Sequence, residues 1–196
     1  MSHSRNLEFM FEISSLRNVE RGWRQHLGVD CANDLEHTIR VAWMALMIAR
    51  SEGVTNEEKI LKMALVHDMA ETRTSDHSYV QKVYVQADEE KAADHLFEGT
   101  TIANMREVLA EYDARQSMEA KIVKDADNLD IDLELKELAE TGHKLPEKWK
   151  TFRRKIRDEK LYTNTAQEMW DEFQTADVHS WHFKANKWVK IPKAGL

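Results

Sequence analysis

Apolar residues recur at helical spacing along most of the chain. Leu7, Phe9, Met10, Phe11, Ile13 and Leu16 predict a first helix over 7–17 with a broad apolar face. A loop holding Gly22, Gly28 and Asp30 follows, and a second helix is expected to start at Asn33. Asn33 with Glu36 three positions on resembles a capping box. Ile39, Val41, Trp43, Met44, Leu46, Met47 and Ile48 carry that helix to about Ser51, apolar on nearly every side, as a central buried helix would be. Gly53 ends it. Thr55 with Glu58 predicts the cap of a third helix, which runs through Ile60, Leu61, Met63, Ala64, Leu65 and Val66 into the sequence HDMAE at 67–71.

The stretch 72–85 reads as irregular. A long polar helix is predicted over 86–114, bent or broken near Gly99. Ser117 caps a further helix through Ile122, Val123, Ala126, Leu129, Leu133 and Leu138 to Gly142, and two more are expected at about 147–159 and 164–174. A tail with Trp181 and Trp188 follows, read as packing or contact surface like Trp170. Six Gly and two Pro in 196 residues leave few turns, which disfavours strands. The fold class is therefore all-α, a single domain over 1–196 with no linker. Its core spans about 33–140 and a C-terminal helical extension about 147–196.

Composition narrows the function. With 42% hydrophobic and 32% charged residues, the chain reads as an ordinary globular protein. A net charge of −7 argues against stable nucleic-acid binding, although a metal and a few basic side chains suffice for a small phosphate compound. One cysteine, Cys31, excludes an internal disulfide and suits a reducing compartment. No apolar run long enough for a membrane span occurs, and the polar stretch 1–6 lacks signal-peptide character, so a cytoplasmic location is expected.

The chemistry sits where the helical pattern asks for apolar residues. His37 lies in the first turn of the buried second helix, and His67 and Asp68 directly follow the apolar run LKMALV. An ionised carboxylate in such a place requires a partner or a metal. Glu71, four residues from His67 and three from Asp68, shares their side and suits proton transfer or ligand positioning. Two imidazoles with carboxylates fit a first-row divalent ion. For a further ligand, KDADNLD at 124–130 offers Asp125, Asp127 and Asp130. Asp127 shares a face with Ala120, Val123 and Ile131, whereas Asp125 aligns with Lys121, Lys124 and Asn128. Helical phase thus favours Asp127, with Asp130 second.

The order His37, His67-Asp68, Asp127 resembles the HD superfamily of metal-dependent phosphohydrolases, and within it the 5′-deoxynucleotidase group. LRNVERGW (16–23), NDLEHTIRVAWMA (33–45), ALVHDMAETRTSD (64–76) and EAKIVKDADNLD (119–130) carry the likeness. The resemblance implies an HD-type helical bundle that is generally dimeric and releases phosphate from (deoxy)nucleoside 5′-monophosphates. It implies His37, His67, Asp68 and Asp127 as ligands of manganese, cobalt or a similar ion, with magnesium, zinc, iron and nickel as alternatives. It further implies Glu71 as the residue that activates or positions water, Asp76 near the sugar or that water, and Arg21 and Trp23 as contacts to phosphate and nucleoside.

The chain departs from the family's pattern in three places: Gly22 separates Arg21 from Trp23, Ser75 stands in the Thr74-Ser75-Asp76 turn where glycine is usual, and HSYVQKVY follows Asp76 where the family often has a proline-containing stretch. Arg73 and Lys82 flank that turn as further candidate phosphate binders. Two other readings are a di-iron oxygenase, drawing on His77 and His95, and a non-catalytic nucleotide-binding module.

Overall fold

A computed structural model describes residues 3–28 and 30–188. The last eight residues of the expected C-terminal extension lie outside this range. Among the described residues the architecture is all-α, with an isolated backbone bridge between Glu20 and Asn33 in place of any sheet.

The helices begin and end where local chemistry dictates. Helix α1 (Ser4–Ser14) continues as a 3₁₀ turn (Ser15–Asn18), and one short turn, α2 (Arg24–Leu27), precedes α3 (Asp34–Ser51). Asn33 caps α3 by accepting from the Leu35 and Glu36 N–H groups at 3.1 and 3.0 Å. Glu36 in turn accepts from the Asn33 N–H, so the capping box closes as expected. Helix α4 (Glu57–Val66) corrects the sequence reading: Asn56, not Thr55, is its cap and accepts from the Lys59 N–H at 3.2 Å. The pattern is shifted by one residue, and Asn is the stronger N-cap.

The segment 72–85 holds two single turns, α5 (Glu71–Thr74) and α6 (Gln81–Tyr84). The expected long polar helix is two, α7 (Glu89–Phe97) and α8 (Met105–Ala114). The break falls at Gly99, whose φ of +70° few other residues tolerate. Arg5 reaches across from α1 and donates to the His95, Leu96 and Glu98 carbonyls at 3.1, 2.5 and 3.0 Å, satisfying acceptors freed by the break. Helix α9 (Met118–Glu140), capped by Ser117, is followed by α10 (Leu145–Lys160), α11 (Asn164–Phe173) and α12 (Ser180–Lys184).

Helices α3, α4 and α9 pack against one another at the centre. Val41, Ala45, Ile48, Ile60, Met63, Ala64, Ile122, Val123, Ala126 and Leu129 are all fully enclosed there. The alanines let the axes approach while the larger side chains fill the gaps between them. Each buried Ile, Leu or Met contributes about 1.5–3 kcal/mol from removal of apolar surface from water. Helices α8, α10 and α11 pack around α9.

Two buried polar ties fix the C-terminal helices on α9. Arg153 of α10 clamps Asp132 at 3.0 and 2.7 Å and donates to the Asn128 carbonyl at 2.7 Å. Asp125 accepts from the Tyr162 N–H, the Thr163 N–H and the Thr163 hydroxyl at 2.8, 2.8 and 2.7 Å, and Thr163 itself caps α11. Asp125 is thus fully enclosed, not on the polar side that helical phase assigns it, because α11 covers that side of α9. Replacing Asp125 by alanine strands three buried donors, with an expected loss of about 2–4 kcal/mol in urea unfolding. A loss below about 0.5 kcal/mol would show that the tie is not structural.

Candidate metal centre and adjoining pocket

Three elements deliver the central side chains. His37 comes from the first turn of α3, His67 and Asp68 follow the last turn of α4, and Asp127 lies midway along α9. His37 Nε2 lies 3.2 Å from His67 Nε2, 3.2 Å from Asp68 Oδ2 and 3.3 Å from Asp127 Oδ1, and His67 Nε2 is 3.1 Å from Asp68 Oδ2. All four donor atoms lie within 4.8 Å of one another. Bonds of about 2.1 Å to one ion set neighbouring ligands about 3.0 Å apart in octahedral geometry and about 3.4 Å apart in tetrahedral geometry, so the spacing fits a first-row metal.

The outer nitrogens of both rings sharpen this fit. His37 Nδ1 faces Asp130 Oδ2 at 2.7 Å and His67 Nδ1 faces the Ala64 carbonyl at 2.8 Å. Carboxylate and carbonyl can only accept, so each Nδ1 donates, and a ring that has given up its second proton turns its Nε2 lone pair inward. Two lone pairs and two carboxylate oxygens then converge, and only a cation relieves them. Asp130, second choice for a ligand in the sequence, instead stands behind His37, where Arg40 also binds it at 2.5 and 2.8 Å.

The surrounding charge favours more than a proton. Carboxylates (Asp34, Asp68, Asp76, Asp127, Asp130, and Glu134 behind Arg40) outnumber the three side-chain cations Arg21, Arg40 and Lys124. Burial and the Arg21 charge oppose protonation of His37, yet its hydrogen bonds to Asp127, Asp130 and Asp68 outweigh both and raise its basicity well above that of ordinary imidazole. Burial also works against ionisation of Asp68 and Asp127. His67 and His37 nonetheless hold Asp68 well below the usual carboxylate range, and Lys124 and His37 do the same for Asp127. The centre therefore attracts positive charge, and a divalent ion supplies what the three side-chain cations do not.

Beside it Asp34, Glu71 and Asp76 converge on Arg21. Arg21 Nη1 lies 3.3 Å from Asp34, 3.3 Å from Asp68 and 3.4 Å from Asp76. Burial, followed by the charges of Asp68, Asp76 and Asp34, drives the Glu71 carboxyl far above the usual carboxylate range, and one of its oxygens is enclosed without a partner.

Asp76 is held by the Gly22 N–H at 2.9 Å. A Cβ at residue 22 would lie 2.5 Å from the Ser78 nitrogen and 2.8 Å from the His77 carbonyl carbon, so the glycine between Arg21 and Trp23 is what lets these two segments touch. At Ser75 the backbone adopts φ 64°, ψ 155°, a region almost confined to glycine. The turn thus keeps a glycine conformation with a serine in it.

A pocket of about 380 Å³ opens from the centre. Asp68, Glu71, Asp76 and Asp127 share its lining with Trp23, Tyr79, Val80, Trp149 and Phe152. Arg21, Lys82, Lys124, Asn128 and Arg153 also border it, and Lys82 forms no ion pair among the described residues. Trp23 is mostly buried, packed against Trp149 at 5.8 Å between ring centres, and its indole N–H has no partner.

Arg73 does not join the pocket: it pairs with Glu12 on the outer surface, with Nη2 3.0 Å from Oε2. Residues two apart in a helical turn face opposite sides, and Glu71 takes the inner one. His95 is exposed on α7 and His77 only borders the pocket, so neither joins a potential metal cluster. Sequence reasoning missed Lys124, Trp149, Phe152 and Arg153. The last three stand at i, i+3 and i+4 in a polar helix, which is the signal that marks them.

A family model described as HD domain matches residues 13–177. The 5′-deoxynucleotidase HDDC2 of Danio rerio is 29% identical over 141 residues, covering 68% of this chain and 70% of that protein. The 5′-deoxynucleotidase HDDC2 of Dictyostelium discoideum is 29% identical over 161 residues, covering 75% and 84%. Among solved structures, a conserved hypothetical protein from Pyrococcus furiosus aligns with TM-score 0.72 and 23% identity over 87% of this chain and 99% of its own. One described as "Predicted metal-dependent phosphohydrolase" from Magnetospirillum magnetotacticum MS-1 aligns with TM-score 0.68 and 23% identity, covering 87% and 90%.

Two outcomes follow from the geometry. Asp130→Ala, which removes the acceptor behind His37, is expected to weaken divalent-metal affinity about 10- to 100-fold in a titration with manganese; unchanged affinity would show that His37 is oriented by other means. Ser75→Gly is expected to raise unfolding stability by about 1–2 kcal/mol by relieving the backbone, and a loss of stability would refute the strain.

Proposed function

The chain belongs to the HD domain family, and from that premise we propose that it is a metal-dependent phosphohydrolase that releases phosphate from (deoxy)nucleoside 5′-monophosphates. The observation that carries this reading is the convergence of two imidazoles and two carboxylates at a pocket that also has aromatic and basic side chains in its lining. Relatives named 5′-deoxynucleotidase support the substrate class.

In this reading His37, His67, Asp68 and Asp127 hold the metal, for which manganese or cobalt is the first choice. A bound divalent ion supplies Lewis acidity toward a phosphoryl oxygen and lowers the pKa of a bound water. Glu71, one helical turn beyond Asp68, positions the attacking water through its unpartnered oxygen, its carboxyl kept protonated by burial and its acidic neighbours. Asp76, fixed by the Gly22 N–H, orients that water or the sugar. Arg21 balances three carboxylates at the pocket floor, and Lys82 is left to neutralise phosphate charge.

The remaining parts of the reading rest on other features. Residues 33–140 and the C-terminal helices act as one domain, supported by α10 packing on α9 and lining the same pocket. A homodimer is supported by the exposed stripe Ile39, Trp43 and Met47 along α3. No described helix is long and apolar enough to cross a membrane, and the free Cys31 thiol suits a cytoplasmic setting. The di-iron reading lacks the extra histidine ligands it requires.

Chelation is expected to abolish phosphate release from a panel of ribo- and deoxyribonucleoside monophosphates, and manganese or cobalt to restore it. Glu71→Ala should lower turnover about 10²- to 10⁴-fold. Nucleotide binding without any phosphate release would overturn the enzyme in favour of a binding module.

A further inference from the structure

We infer that α10 supplies the wall that recognises the nucleobase, with Trp149 and Phe152 as specificity-determining residues. This rests on the nucleotide reading above and adds a base subsite to it. The first support is the character of the helix. The sequence LPEKWKTFRRKIRDEK is dominated by charged residues, and Arg153 is its one fully buried residue. Phe152 is 45% exposed, and Trp149, which packs in part against the small cluster of Trp23, Leu27 and Leu135, is only half-buried. Large aromatics left partly in water at the mouth of a pocket call for an occupant.

The second support is placement. Trp149 and Phe152 stand one turn apart on the side of α10 that also carries Arg153. Arg153 is locked by Asp132 and by the Asn128 carbonyl, so the two rings are held at fixed depth beside the centre rather than swinging freely. Trp149 leans on buried Trp23, with ring planes inclined at 31°. Phe152 meets Tyr79 edge-on, ring centres 5.6 Å apart, and Tyr79 is 56% exposed. The two pairs border the same pocket as Asp68 and Asp127, so its lining combines aromatic faces with carboxylates. A molecule with phosphate at the metal and a planar ring beyond the sugar fits that combination. Stacking of a base on such rings is sequence-tolerant, so the wall is expected to hold several bases.

The test compares two phosphate esters on the intact, manganese-supplied protein: deoxynucleoside 5′-monophosphates and 2-deoxyribose 5-phosphate, which lacks the base. The readout is the ratio of kcat/KM between them, with nucleotide binding followed in parallel by tryptophan fluorescence of Phe152→Ala. In Phe152→Ala and Trp149→Ala the ratio should fall about 10- to 100-fold, mainly through KM for the nucleotide. Phe152→Leu, which keeps apolar bulk but no ring face, should show a partial fall. An unchanged ratio in all variants, or equal loss on both esters, would overturn the base wall while leaving the phosphohydrolase reading intact. A wild-type protein that cleaves both esters with the same kcat/KM would do likewise. Release of phosphate from neither ester would remove both.

Discussion

His37 sits at the meeting point of acceptors that cannot satisfy one another. Its Nε2 faces an imidazole nitrogen and two carboxylate oxygens, while its Nδ1 is already committed to Asp130. In a low-dielectric interior, such a cluster holds together only around positive charge. Much of the neighbouring structure can be understood as provision for that charge. Arg40 backs Asp130, Lys124 binds the outer oxygen of Asp127 at 2.5 Å, and Arg21 spans Asp34, Asp68 and Asp76. The carboxylates around these three cations outnumber them, a deficit that a divalent ion would narrow.

The hydrophobic core sets the precision of this centre. The four candidate ligands project from α3, from the end of α4 and from α9, three helices whose facing residues, among them Val41, Ala45, Ile48, Ile60, Ala64, Val123 and Ala126, are fully enclosed. A side chain on a close-packed helix has few rotamers and little freedom, so the donor atoms are held near their working separation before an ion arrives. Pocket-lining residues outside these helices are borne differently. Asp76, His77 and Tyr79 lie between the single turns α5 and α6, where backbone hydrogen bonding is sparse and position depends on contacts such as Gly22 to Asp76.

That difference in support governs how much of the molecule was legible in the chain. Helices α3 and α9, with their caps, follow from apolar periodicity and from Asn33 and Ser117, because both signals are local. The residues His37, His67, Asp68 and Asp127 stood out as polar groups inside apolar patterns, and the structure brings all four together. Asp125 was misjudged because phase against one partner predicts an outer face, whereas α11 covers that face from a distant part of the chain. Arg73 was misjudged because proximity in sequence to a turn says nothing about which side of a one-turn helix a residue takes. Trp149 and Phe152 share one side of a polar helix with Arg153, a local signal, but that this side meets the pocket depends on Asp132 and Asn128 of α9, which hold Arg153.

The Ser75 turn shows how the two kinds of support meet. Glycine would adopt its backbone conformation without strain, yet serine is held there between Glu71, beside the metal centre, and Asp76, pinned by Gly22. A strained residue persists only when its surroundings over-determine it. Here the constraint comes from both flanks: Glu71 is fixed inward by α5 following the Asp68 ligand, and Asp76 is fixed by a backbone approach that tolerates no Cβ at residue 22. Relaxing the turn would shift Asp76 relative to Glu71 and so disturb the spacing of the acidic groups around Arg21. The strain is therefore the local consequence of holding a loop-borne carboxylate in register with a helix-borne metal centre.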